Sequence, residues 1–81
     1  MTSRDREVRA LLLRLVDRRG KEIAEPVYRI YRDAAGDYLA GIPNLFAHRA
    51  GASVFSQAEA HAFLVEYPKA LEGCWARRDG T

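Results

Sequence analysis

Cysteine is nearly missing from this 81-residue chain: Cys74 stands alone, so no internal disulfide forms and a reducing, cytoplasmic setting is expected. Long apolar runs are missing too. None approaches the ~20 residues needed to span a bilayer, so no membrane partner is expected. The charged N-terminus lacks the apolar stretch and small-residue cleavage site of a signal peptide. There is no Gly-rich phosphate loop, internal repeat or low-complexity segment. The soft metal ligands are His48, His61 and Cys74, each 13 residues from the next, and that spacing matches no zinc pattern. Carboxylates are scattered over turns and helix surfaces, and no nucleophile signature surrounds Cys74. A chain this short also has little room for a water-excluding cleft. No metal, no cofactor and no enzymatic activity are therefore expected, and Cys74 reads as a packed apolar residue.

What is present is the balance of a folded domain, 48% apolar and 30% charged residues, in a length that allows one domain over residues 1–81. The net charge of +2 is unevenly placed. Residues 1–21 carry seven basic and three acidic side chains, against six and eight in residues 22–81. An anionic partner at the N-terminal end is thus allowed without being required.

Thr2 or Ser3 caps a first helix expected to run to about Arg19, with Gly20 ending it. Val8, Leu11, Leu12, Leu15 and Val16 make one apolar stripe. Leu13 projects from the opposite side, among Arg6, Arg9 and Asp17. After Pro26, residues 27–32 read as a strand and residues 38–42 as its partner, joined by Asp33-Ala34-Ala35-Gly36 as a three-residue hairpin loop with a bulge. Between Pro43 and Ala52 a short helical segment and a loop fit equally. Residues 53–55 are expected to add a short third strand. Ser56 and Glu59 have capping-box spacing, which opens a second helix from about Gln57 to Glu66, with Ala60, Phe63, Leu64 and Tyr67 on its buried face and Pro68 as its stop. Residues 71–81 read as a final strand or a docked tail. The fold class is α+β, a small antiparallel sheet with two helices on one face, in the order α-β-β-(β)-α.

Two constellations bear on function. Arg6, Arg9, Arg14, Arg18 and Arg19 lie mostly off the apolar stripe, though Glu7 and Asp17 interrupt them as on any solvated helix. With Leu13, and with the Leu45-Phe46 loop, they suit a protein contact surface; Leu13 also suits a homodimer interface through the first helix. For Phe46 and Trp75, closure of the open core edge is the favoured reading. The hairpin offers the second constellation. Strand alternation puts Tyr28 and Ile30 on one face and Arg29 and Tyr31 on the other, with Arg29 marking the solvent side. Arg29, Tyr31, Arg32 and Arg49 then form a candidate nucleic-acid surface.

The order helix, three strands, helix resembles the double-stranded-RNA-binding domain, but Ser56-Gln57-Ala58-Glu59-Ala60-His61 lacks the basic clamp which that family carries there. Residues 27–66, with Phe55-Ser56 and Glu59-Ala60 after a hairpin, resemble the three-stranded arm-binding domains of phage-type integrases. That resemblance implies Arg29, Arg32 and Arg49 as groove-facing residues. The use of 11 arginines against 2 lysines, with 13 alanines, is read as the codon bias of a GC-rich genome. In size, fold class and that bias the chain resembles the orphan proteins of phages and mobile elements, anti-CRISPR inhibitors among them. This last resemblance implies a non-enzymatic protein–protein interaction module that blocks a surface of a larger nucleoprotein complex. The alternative is a small DNA- or RNA-binding domain.

Overall fold

The computed structural model describes residues 2–18, 21–24 and 26–79. Helix α1 (Ser3–Asp17) begins at a reciprocal cap: the Thr2 side-chain oxygen accepts the Asp5 N–H at 3.1 Å, and the Asp5 carboxylate accepts the Thr2 N–H at 3.3 Å. It closes at Asp17 with Arg18 as the C-cap; the expected end at Arg19 and Gly20 lies outside the described residues.

Strands β1 (Tyr28–Arg32) and β2 (Asp37–Leu39) form the expected hairpin, with Gly36 at φ 69° and its N–H donating to the Arg32 carbonyl at 2.8 Å. Strand β2 stops at Leu39 rather than Ile42. The chain reverses there: Ala40 N–H donates to the Leu45 carbonyl at 2.7 Å and Gly41 N–H to that of Asn44 at 3.1 Å. Gly41 sits at φ 138°, and a Cβ on it would lie 3.5 Å from Leu15 Cβ, so the turn is tucked beneath α1. The Ile42–Pro43 peptide is cis.

This reversal lays β3 (Phe46–Ala47) along β2, with Leu39 opposite Phe46 and Tyr38 opposite Ala47. The third strand is therefore residues 46–47 and not 53–55. Of the latter segment, only Phe55 forms a bridge, exchanging two 2.8 Å bonds with Tyr28. A 3-10 turn (Arg49–Gly51) follows β3. Helix α2 (Gln57–Glu66) starts at its expected cap, where Ser56 Oγ accepts the Glu59 N–H at 3.2 Å and Glu59 accepts the Ser56 N–H at 3.2 Å. The tail is a strand, β4 (Cys74–Arg78), antiparallel to β1. The sheet order is β3-β2-β1-β4, in an α+β domain of order α-β-β-β-α-β.

Both helices cover one sheet face. Leu11 and Leu15 of α1 and Ala60 and Phe63 of α2 close on Ile30, Leu39 and Phe55, each large side chain contributing on the order of 1.5–3 kcal/mol by burial. Val16 does not join them; it is 41% exposed. The buried side of α1 holds Leu11 and Leu15 with Arg18 nearly buried beside them, and the guanidinium groups of Arg18 and Arg14 lie over Phe55, just before α2, and Phe63 within it. Arg18 stands 4.5 Å over the Phe55 ring and Arg14 4.5 Å over Phe63. Among the described residues no helix is long and apolar enough to cross a membrane.

Candidate functional site on the open sheet face

Residues directly opposite on neighbouring strands share a face, so the register sorts the sheet. Ile30 and Ala76, Leu39 and Phe46, and Arg32 and Cys74 face the helices. Tyr31 with Tyr38, Tyr31 with Trp75, and Arg29 with Arg77 face away from them. The far face thus carries an aromatic row across β2, β1 and β4. Tyr38 and Tyr31 lie 5.0 Å apart between ring centres and Tyr31 and Trp75 5.6 Å, the latter edge to face.

Trp75 is 46% exposed. It does not close the core edge as expected, because its register with Tyr31 places it on the outer face. The cue lay in its neighbours: Cys74 and Ala76 are the small apolar residues of an alternating strand, and Trp75 and Arg77 are its other side. Tyr38 is one of the hairpin aromatics, with Tyr28 and Tyr31, that the strand pattern sets beside Arg29 and Arg32, whereas the face of Arg77 follows only from the pairing of β4 with β1.

Arginines flank the row. The Arg77 guanidinium lies 5.1 Å from the Tyr31 ring centre and 3.4 Å from the Tyr38 hydroxyl. Arg29 donates to the Arg49 carbonyl and, at 3.4 Å, to Asp79; Arg49 Nε donates to Asp79 at 2.9 Å. Hydrogen bonding from Arg49, then the charge of Arg29, holds the Asp79 carboxyl below the usual carboxylate range. Two guanidinium groups, of Arg29 and Arg49, therefore share one carboxylate, and Arg77 lies beside them on the same face. Arg29 and Arg77 are directly opposite each other, a like-charge pairing that costs stability on a sheet.

Of the hairpin candidates, the structure brings Arg29, Tyr31 and Arg49 to this face and leaves Arg32 on the other. Arg32 lies 3.8 Å over the Phe46 ring and holds Asp37 through two bonds of 2.8 and 2.6 Å. That pairing lowers the Asp37 carboxyl below its ordinary range. Of the first-helix candidates, Arg6, Arg9 and Leu13 are exposed, Leu13 at 67%. Arg14 is engaged with Glu66, and Arg18, 9% exposed, with Glu59 and the Val54 carbonyl. Leu45 and Phe46 are half-buried against the core, as favoured for Phe46.

Among the described residues no acid–base constellation accompanies this face. Burial pushes the half-buried Cys74 thiol up, which keeps it protonated and a poor nucleophile near neutral pH. Among the described residues no group of three or more His, Cys, Asp or Glu is placed to hold a metal. What the face offers is stacking area and unneutralised positive charge. No protein-family model, curated protein or solved structure matches this chain.

Proposed function

We propose that the open sheet face binds single-stranded nucleic acid without strong sequence preference. The observation that carries this is the row Tyr38–Tyr31–Trp75 bordered by Arg29, Arg49 and Arg77 on the face that the helices leave uncovered. An exposed indole stacks on any base, and each such contact is worth about 1–3 kcal/mol. The guanidinium groups reach the flanking phosphates as planar forks. The opposed pair Arg29 and Arg77 costs the fold stability, and a polyanion on that face reverses the sign of the cost. Three arginines against Asp79 leave two net charges, so the affinity is modest and its salt dependence shallow, with a log–log slope of about −1.4.

The test is fluorescence anisotropy with labelled single-stranded DNA, single-stranded RNA and duplex DNA across a salt series. Single strands are expected to bind better than duplex with that slope, and Trp75→Ala to weaken them roughly 5- to 150-fold. Absence of binding at low salt, or equal loss from a variant off the face, overturns the reading.

A second reading has its own observation. Leu13 is 67% exposed beside the exposed Arg6 and Arg9, the composition of an interface anchor. It is the surface on which a non-enzymatic inhibitor of a larger nucleoprotein complex, of the anti-CRISPR kind, would meet its protein target.

A further inference from the structure

Arg6, Ala10, Leu13 and Asp17 are exposed along the outer side of α1, Leu13 at 67%. Their spacing of four, three and four residues is that of a coiled-coil seam, so the four stand in one row along the helix. Arg6 closes the first turn and Asp17 is the last helical residue. Both charges therefore oppose the helix's own dipole, which favours anions at its start and cations at its end. Neither side chain makes a hydrogen bond or ion pair with the described residues, whereas Arg14 and Arg18 are both engaged. A large aliphatic side chain in water is thus aligned with two charges that their own helix disfavours. We infer that this row is an interface with a second copy of the chain, α1 packed antiparallel on α1.

The row is complementary to itself in that direction only. Along α1 it reads cation, small, large, anion, and the antiparallel copy presents anion, large, small, cation. Arg6 then meets the partner's Asp17, and Leu13 packs over the partner's Ala10. Each contact is made twice, as an isologous interface requires. Parallel packing would set arginine on arginine and aspartate on aspartate. The next antiparallel register toward either end sets Leu13 opposite the partner's Ser3 or the partner's Asp17, and leaves both ion pairs unmade. Charge and side-chain size therefore select the same alignment, with the two-fold axis between Ala10 and Leu13. Helix α1 is already held by the core through Leu11 and Leu15, so association orders only side chains. Arg9 falls on the flank of the row, in water. This inference does not depend on what the open sheet face binds.

Sedimentation equilibrium of the whole chain, without nucleic acid, from about 10 µM to about 1 mM is the test. So small an interface predicts a dissociation constant of roughly 0.1–1 mM. Leu13→Asp is expected to be monomeric throughout, with an unchanged circular dichroism spectrum. Arg6→Asp sets carboxylate against carboxylate at both ends of the row and is expected to weaken association roughly tenfold. Adding Asp17→Arg to it reverses both charges and is expected to restore the wild-type constant. Each of these charge changes suits the helix dipole, so both variants are expected to fold. A strictly monomeric wild type overturns the inference and leaves Leu13 to a different protein. So does a dimer unchanged in Leu13→Asp, or a double reversal that associates no better than Arg6→Asp alone.

Discussion

At the scale of single residues, Asp79 decides how much of the open face's charge reaches solvent. It sits between Arg29 and Arg49 and is 22% exposed, so its carboxylate is a built-in competitor for any phosphate. Replacing it with asparagine keeps the backbone bond to Val27 and much of the side-chain hydrogen bonding while releasing one positive charge. Asp79→Asn is therefore expected to tighten single-strand binding severalfold and to steepen the log–log salt slope by about 0.7. The same substitution weakens the fold slightly, since two arginines lose their counter-charge. Anisotropy at several salt concentrations reads the first effect and urea denaturation the second. An unchanged or weaker affinity with an unchanged slope would remove the phosphate-binding role of Arg29 and Arg49.

At the scale of elements, the junction between the segment at 53–55 and α2 is where sequence and structure agree most closely. The Ser56 and Glu59 spacing announced both the helix start and the reciprocal bonds. What spacing did not announce is that Glu59 also receives Arg18, and Lys21 at 3.0 Å, tying the end of α1 to the start of α2. Those partners, Arg18 foremost, lower its carboxyl from the ordinary 4.5 to about 2. A group depressed in this way stabilises the fold above its unfolded pKa and loses that contribution as pH falls through the folded one. A shift of this size corresponds to roughly 3 kcal/mol, and its 28% exposure reduces it, so Glu59→Gln is expected to cost about 1–3 kcal/mol at pH 7. The gap between variant and wild type should hold down to pH 4.5 and close toward pH 2. Urea denaturation along a pH series measures it, and a gap independent of pH would show that packing rather than charge carries the effect.

The elements that sequence missed share one cause. Alternation and turn chemistry are local, so the β1–β2 hairpin was legible from Asp33 to Gly36 and the first helix from its stripe. The pairing of β3 with β2 depends on the reversal over 40–45, and that of β4 with β1 spans the whole of α2. The first rests on an irregular six-residue reversal with no turn signature of its own, and the second is long-range and leaves no mark within a few residues. The face of Trp75 follows from the second pairing, and so the candidate site was half visible: Arg29, Tyr31 and Tyr38 from the hairpin, Trp75 and Arg77 only from the assembled sheet. Val16 left the core for a related reason, since an arginine laid over an aromatic ring looks in sequence like any solvated arginine.

At the scale of the whole molecule, the fold redistributes the charge that the sequence concentrates in its first 21 residues. Arg14 is engaged with Glu66, and Arg18 and Lys21 with Glu59. Arg14 and Arg18 thus brace the two helices, while Arg4, Arg6 and Arg9 remain exposed on α1, which also carries the exposed Leu13. The open sheet face and the outer side of α1 are accordingly two surfaces of different chemistry, one aromatic and cationic, the other a single large aliphatic among charges. Leu13→Asp separates their roles. Leu13 contributes little to the core at 67% exposure, so the variant is expected to unfold within about 0.5 kcal/mol of wild type. It leaves the aromatic row untouched, and its single added negative charge is expected to change single-strand affinity by no more than about twofold at moderate salt. Parallel titrations of Leu13→Asp and Trp75→Ala against the same oligonucleotide then assign the function to a surface. Loss in Trp75→Ala alone supports the sheet face; loss in Leu13→Asp alone, with the fold intact, moves the binding site to α1 and makes the protein-contact reading the one to pursue.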